Sequence, residues 1–311
     1  MASHPSFSIV APVYGVERYI ANCADSLLGQ TYDNIQFIFV NDGTKDASIA
    51  LLEKLIDEKY SFLKDRIVIV NKHNEGLPAA RRTGMEYVTG DYVLHVDSDD
   101  WVEKDMVAKI AAKAVETDSD VIYFDFYKEY SSRSKHDREK DYTADSKMKF
   151  IWGLFNYKAY GYVWNKCVKR SVYEKNDIRF PSYGMHEDIY LMAQLLYYAE
   201  SIVHLPDALY HYRRDNPGSI SAAKTKNRRR DSAMNMMDLY ERYRSGLCNS
   251  PVRDSYGEIL LRTGWLSIRY GFGFFEKYPY LAESIRKQPL SFRNKTFILW
   301  QLITKIVALF K

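Results

Sequence analysis

Four short apolar runs dominate the first hundred residues: FSIVAPV at 7–13, IQFIFV at 35–40, and the segments 66–70 and 92–96. A run that is apolar without alternation is the pattern of a strand buried on both faces. Each is followed by residues recurring at helical spacing. Val16, Tyr19, Ile20, Cys23 and Leu27 follow the first; Leu51, Leu52, Leu55 and Ile56 follow the second. Segments 77–88 and 103–116 read as two more helices, and 121–124 as a fifth strand. Strands alternating with helices of this length predict an α/β fold, a mostly parallel sheet flanked by helices on both faces.

Residues 128–149 are polar and highly charged and read as a surface excursion. A helix is expected at 187–198 and a short strand at 201–204. Beyond Ser221 every periodic segment is helical, with Ala233, Met236, Met237, Tyr240 and Tyr243 on one face. The expected division is therefore an α/β domain over 1–221, with halves of about 1–125 and 126–221, and a helical C-terminal region over 222–311.

A net charge of +4 is too small to argue for a nucleic-acid partner. Its distribution is uneven: six basic and no acidic residues follow Ser284, and seven basic residues stand against Asp215 between Arg213 and Arg230. This suits either solvated helix faces or an anionic surface. Cys23, Cys167 and Cys248 are far apart and fit neither a disulfide framework nor a zinc site, which points to a reducing cytoplasm. The N-terminus lacks a signal-peptide pattern, and no run of about 18 apolar residues is present.

In open parallel sheets, ligands sit outside the carboxyl ends of the strands. Here the runs end in Pro12-Val13-Tyr14, Asn41-Asp42-Gly43, Asn71-Lys72 and Asp97-Ser98-Asp99-Asp100. The last carries three carboxylates in four residues. One would suffice to cap the next helix; three repel each other unless a cation intervenes. Mg²⁺ or Mn²⁺ takes oxygen ligands and shares its shell with substrate phosphates. No G-x-G-x-x-G follows the first strand, and no P-loop, zinc pair or serine elbow occurs.

The stretches APVYGVERYIANCADSLLGQTYDNIQFIFVNDGTKD and NEGLPAARRTGMEYVTGDYVLHVDSDDW resemble family 2 glycosyltransferases of the GT-A fold. Trp164-Asn165-Lys166, Glu187-Asp188, Tyr210-His211-Tyr212-Arg213 and Ser219-Ile220-Ser221 resemble the family's bacterial surface-polysaccharide members. The likeness covers roughly residues 6–221. It implies a GT-A, Rossmann-like fold and a metal-dependent transfer from a nucleotide-diphosphate sugar, by default a UDP-sugar. The acceptor expected is a hydroxyl of a glycan or lipid-linked glycan. Pro12, Val13 and Tyr14 would line the base, with Asp42 hydrogen-bonded to it. Asp97-Ser98-Asp99-Asp100 matches the D-x-D element; Asp99 and Asp100 are the favoured metal ligands, with the choice among the three aspartates open. Lys72, Asn74, Arg81, Asp97, Ser98, His211 and Arg213 complete the nucleotide-sugar set. Asp188 matches the catalytic base, with Glu187 beside it. Where the family commonly has Ala-Arg-Asn, this chain has Ala80-Arg81-Arg82.

Charge balance agrees. Three carboxylates, a divalent metal and a diphosphate leave about −3 locally, so further cations are expected. His211, Arg213 and Arg214 are the candidates, with Lys166, Lys169 and Arg170 behind them. A single base opposite the leaving group implies direct displacement with inversion. Tyr157, Tyr160, Tyr162 and Tyr183 are read either as core and rim or as an acceptor platform. Residues 297–310 form an amphipathic pattern about 20 Å long, too short to span a bilayer. It suits an anionic membrane surface, packing on the helical region, or a homodimer contact, so the enzyme is expected in the cytoplasm, peripheral to the membrane's inner face. Two competing functions are a non-catalytic sugar-binding or scaffolding subunit and a sugar-1-phosphate nucleotidyltransferase. The first predicts loss of the metal or base carboxylates, and the second a glycine-rich loop after the first strand; neither feature is seen.

Overall fold

The computed structural model describes residues 4–155, 158–219, 226–247 and parts of 263–286. Strand β1 (Phe7–Val13) is buried at every position. Its side chains alternate: Phe7, Ile9, Ala11 and Val13 join a large core on one face, while Val10 joins a smaller one on the other. In β2 (Ile35–Asn41), Phe37 and Phe39 likewise oppose Ile38 and Val40. With β3 (Ile67–Asn71) and β4 (Tyr92–His95), these strands form an all-parallel half-sheet in the order β3-β2-β1-β4. Their carboxyl ends therefore share one edge. The chain moves outward from β1 to β3, then crosses back to β4 on the far side of β1. That reversal opens a crevice between β1 and β4.

Helices α1 (Ile20–Leu28), α2 (Ser48–Lys59) and α4 (Met106–Thr117) feed the large core through Cys23, Leu27, Leu52, Val107 and Ile110. Helix α3 (Leu77–Met85) covers the opposite face. Gly84 is what lets it lie close: a Cβ there would stand 2.4 Å from Val10 Cγ1 and 3.2 Å from Val40 Cγ2. Arg81, one turn earlier on the same helix face, is thereby carried into the interior.

The second half of the sheet continues as β8-β6-β9-β5, comprising β5 (Trp101–Val102), β6 (Val121–Tyr130), β8 (Lys166–Lys169) and β9 (Ile202–Arg213). Strand β8 runs against both β4 and β6, whereas β6 and β9 are parallel. Two expectations are corrected here. The charged stretch from 128 is a hairpin: β6 continues to Tyr130 and returns as β7 (Arg133–Asp137), followed by α5 (Lys147–Phe155). Most of β7 is exposed, so its ladder leaves no apolar signature. Strand β9 runs on to Arg213 because the ladder to β6 survives a register shift at Asp125. Pro206 and Asp207 fall in that irregularity and disguise the strand's continuation.

Helices α6 (Arg170–Glu174) and α7 (Glu187–Tyr198) complete this part. Nine residues of α7 are buried, Glu187 among them. Two compact units are seen, Met1–Ala223 and Lys224–Lys311. In the second, α8 (Lys226–Leu247) buries Ala233, Met234, Met237, Leu239 and Tyr240. Short helices α9 (Phe274–Lys277) and α10 (Leu281–Arg286) bury Phe274 and Leu281. The amphipathic segment 297–310 and the Tyr243 side chain lie outside the described residues. No described helix is long and apolar enough to cross a membrane.

Candidate functional site

The four parallel strand ends are stitched together by side chains. Ser98 Oγ donates to the Pro12 carbonyl at 2.6 Å, bridging β4 to β1 across the crevice. The Asp42 amide donates to the Val13 carbonyl at 3.1 Å. Val13 is buried and Tyr14 beside it is exposed. Asp42 is itself buried and fully engaged: Lys72 Nζ reaches it at 2.8 Å, the Glu75 amide at 3.0 Å and the Gly76 amide at 2.8 Å. Burial opposes the Lys72 ammonium, yet hydrogen bonds to Asp42 and Glu75 outweigh it and raise its pKa. Asp42 thus shapes the 72–76 loop. Asn74 is exposed at its crest, its amide so near Gly43 that a Cβ there would come within 2.9 Å.

The acidic cluster is divided by its surroundings. Asp100 is 1% exposed, and both oxygens are occupied, one by the Arg213 amide at 2.7 Å and the other by Tyr210 Oη at 2.8 Å. Burial and then the Asp99 charge push its pKa well up. Its geometry is that of an anchor for β9. Asp99 accepts from Asn216 Nδ2 at 2.8 Å, and its pKa is raised by burial and by Asp97. Asp97 is half-buried, with 25% of its side chain exposed. Two neighbouring carboxylates at the mouth of the crevice suit a hard divalent cation that completes its shell with phosphate and water. Among the described residues no group of three or more His, Cys, Asp or Glu converges to hold a metal unaided.

Arg81 is the pivot. It is 2% exposed, with Nη2 2.7 Å from Asp97 Oδ1 and Nη1 2.8 Å from Glu187 Oε1. The second contact is a charge contact without hydrogen-bond alignment, and Nε also lacks a partner. Burial works against the guanidinium, but Glu187 and Asp97 together raise its pKa. One buried cation therefore joins the end of β4 to the start of α7. Glu187 is pushed upward by burial, only partly offset by Arg81. Asp188 is half-buried in the first turn and accepts from the Ile189 amide at 2.8 Å. Burial raises its pKa, and Ile189, Arg81 and Lys166 act against that rise.

The expected cations are sorted differently. Arg213 lies at the cluster: its Nε donates to the Asp99 carbonyl at 2.9 Å, and its guanidinium stands 4.8 Å from both the Tyr19 and Trp101 rings. His211 is a correction. Its Nδ1 meets Glu129 at 2.8 Å, its Nε2 meets Glu103 at 3.0 Å, and its ring stacks on Trp101 and Tyr127. With both nitrogens committed to carboxylates, it has none to offer a diphosphate. Arg214 bonds the Tyr212 hydroxyl and Arg82 is exposed. Lys169 and Arg170 sit beside the start of β4, at the opposite edge, paired with Asp118 and Glu174. The aromatic platform is also revised. Tyr160, Tyr162, Trp164 and Tyr210 stack in succession at 5.5, 4.5 and 4.2 Å, so both faces of Tyr162 are covered. They form a wall whose inner end, Tyr210, holds Asp100. Tyr183 is half-buried, and Tyr157 is outside the described residues.

Sequence reasoning missed Asn216, Glu103 and Glu129, which lie in ordinary polar contexts. It also missed Asp46, which accepts from Thr44, Ser48 and the Glu17 amide and so ties the β1 and β2 loops together. Its position in the NDGTKD string was the available signal.

Residues 8–176, more than half of the chain, match the family described as Glycosyl transferase family 2. EpsH of Bacillus subtilis, a protein named as a glycosyltransferase, is 34% identical over 215 residues, 67% of this chain and 61% of that protein. Glycosyltransferase GlyA of Streptococcus pneumoniae is 33% identical over 229 residues, 70% of this chain and 32% of that protein. The chain thus spans less than two thirds of either relative's length. Among solved structures, TarS 1–349 of S. aureus in complex with UDP-GlcNAc is similar with a TM-score of 0.66, at 21% identity, covering 90% of this chain and 79% of that one. At that identity the likeness is one of fold.

The Arg81 geometry yields a prediction. Arg81→Met leaves the buried Glu187 and the half-buried Asp97 without their cation and should cost about 3–5 kcal/mol, the usual effect of breaking a buried pair. Urea denaturation measures it; a loss below about 1 kcal/mol, typical of an exposed pair, contradicts the pivot.

Proposed function

The chain belongs to glycosyltransferase family 2, and from that premise we propose that it is an inverting, metal-dependent glycosyltransferase of cell-surface polysaccharide synthesis. It moves one sugar from a nucleotide-diphosphate donor, a UDP-sugar, to a hydroxyl of a glycan or lipid-linked glycan. The observation that carries this reading is the Arg81 bridge between Asp97 and Glu187, because it holds the acidic cluster and Asp188 around one crevice.

In this reading Pro12, Val13 and Tyr14 border the base, Asp42 and Lys72 shape its wall, and Asn74 reaches the donor. Asp97 and Asp99 would hold the metal. Asp99 with Asp100 was the favoured pair from sequence, but Asp100 has both oxygens taken by Tyr210 and Arg213. Bound Mg²⁺ or Mn²⁺ supplies positive charge beside the leaving diphosphate. Arg213, held between two aromatic rings, adds a pre-ordered cation on the same side. Asp188 accepts the proton of the acceptor hydroxyl as that oxygen attacks the anomeric carbon. The sugar–diphosphate bond breaks with its electron pair leaving on the diphosphate. A carboxylate raised by burial is a better base than one in water. Glu187 orients the helix start through Arg81.

Metal-stripped protein should release no UDP from a donor panel until Mg²⁺ or Mn²⁺ is returned; full turnover in excess chelator rules the metal out. Asp188→Asn, which keeps the shape of the side chain, should lower turnover by roughly 10² to 10⁴, and Glu187→Gln should be milder. A dead Glu187→Gln beside an active Asp188→Asn would move the base by one residue.

The acceptor side of the reading extends to an anionic membrane surface on the cytoplasmic face. Support comes from the basic residues after Ser284 and the amphipathic pattern of 297–310. Full-length protein should float with anionic liposomes at low salt, and equal recovery of a chain truncated at Phe292 removes this extension.

A further inference from the structure

Lys166 is 1% exposed, and a buried ammonium is costly unless each hydrogen finds an acceptor. All three do: the Tyr160 carbonyl at 2.9 Å, the Tyr162 carbonyl at 2.9 Å and Asn165 Oδ1 at 2.6 Å. No hydrogen is left for a substrate phosphate, so the role expected of it behind the diphosphate does not apply. Asn165 is itself tied to the Phe124 carbonyl at 3.0 Å, and Lys166 pairs with Tyr123 across the β6–β8 ladder. The ammonium therefore pins the 160–162 segment to the sheet.

That segment lies against the start of α7. Glu139 Oε2 accepts from the Tyr160 amide at 2.9 Å. Between the two tyrosines, Gly161 packs so closely that a Cβ would stand 2.5 Å from Ile189 Cγ1. Ile189 is the residue whose amide holds Asp188. Two carboxylates act on the Lys166 charge, Glu139 from the chain after β7 and Asp188 from α7.

We propose that Lys166 is a positioning residue for Asp188: its buried ammonium fixes the segment on which the first turn of α7 rests and presents the base with a positive charge from within the protein. The inference rests on Asp188 being the base. Asp188 is also within electrostatic range of Arg81 on α3, Asp97 after β4, its neighbour Glu187 and Tyr162. Among these, Arg81 is shared with Asp97 and Glu187, whereas Glu139 is the other carboxylate that acts on Lys166 among the described residues. Burial pulls the Lys166 pKa down to about 8, so its charge is lost just above neutrality. As it goes, Asp188 loses one of the groups that favour its ionised form, which links the base to the state of a lysine it does not touch.

The test follows the Asp188 carboxyl by ¹³C NMR through a pH titration of the full chain, alongside pH–rate profiles. Lys166→Met should raise the Asp188 pKa by about one unit or more. The acid limb of kcat/KM should shift upward by the same amount, and UDP affinity should be preserved because the donor crevice is built on other strands. If that variant does not fold, wild type and Glu139→Gln decide the matter. In wild type the Asp188 signal should show a second inflection where Lys166 loses its proton. Glu139→Gln keeps an acceptor for the Tyr160 amide but removes a charge that raises the lysine's pKa, so the inflection should move to lower pH. An Asp188 titration identical in wild type and Lys166→Met, or a wild-type curve with no second inflection, overturns the proposal. Absence of wild-type turnover would instead sink the transfer reading and leave the NMR result to stand by itself.

Discussion

A guanidinium buried between Asp97 and Glu187 is the interaction on which the rest of the site depends. A charge taken from water must be matched by charges that are also taken from water, so Arg81 dictates where two distant segments meet. One is the end of β4, fixed by the parallel half-sheet; the other is the first turn of α7, which arrives from the second half of the domain. Arg81 reaches this position because Gly84 allows α3 to press onto Val10 and Val40. A backbone clearance in the smaller core thus determines the spacing of carboxylates in the crevice.

Around this ion pair the remaining polar groups divide into those that hold the frame and those left to meet a ligand. Asp100, Asp42, His211 and Lys166 are each held by two or more bonds to protein partners and stiffen the walls. Asp97, Asp99, Asp188 and Arg213 keep partial exposure at the mouth. The stacked column from Tyr160 to Tyr210 connects the two groups, since its outer segment is pinned by Lys166 and its inner ring orders Asp100 and the Asp97 amide. Such a frame suits a reaction whose transition state is stabilised by fixed charges.

Much of this was legible in the sequence, for identifiable reasons. Apolar runs such as IQFIFV report burial on both faces, and burial on both faces in alternation with helices leaves few topologies. The acidic cluster and the Glu187-Asp188 pair were visible as charge that needs an explanation. Partnership was not visible. Whether a carboxylate faces ligand or protein depends on contacts far along the chain, which is why Asp100 and His211 drew expectations that their surroundings do not favour. Alternation along β9 sends Tyr210 toward the acidic cluster and turns His211 toward Glu103 and Glu129. The β6–β7 hairpin escaped because most of β7 is charged and exposed, and the ion pairs that tie it down, Lys128 and Lys135 to Asp137, leave no apolar periodicity.

The account's central claim is a single displacement in which Asp188 activates the acceptor and no protein nucleophile intervenes. The anomeric configuration of the product tests this most directly. With an α-linked UDP-sugar donor and metal present, the ¹H NMR coupling of the new linkage should report a β-configured product. An α-configured product would require a second displacement or a front-face path, and would contradict the account.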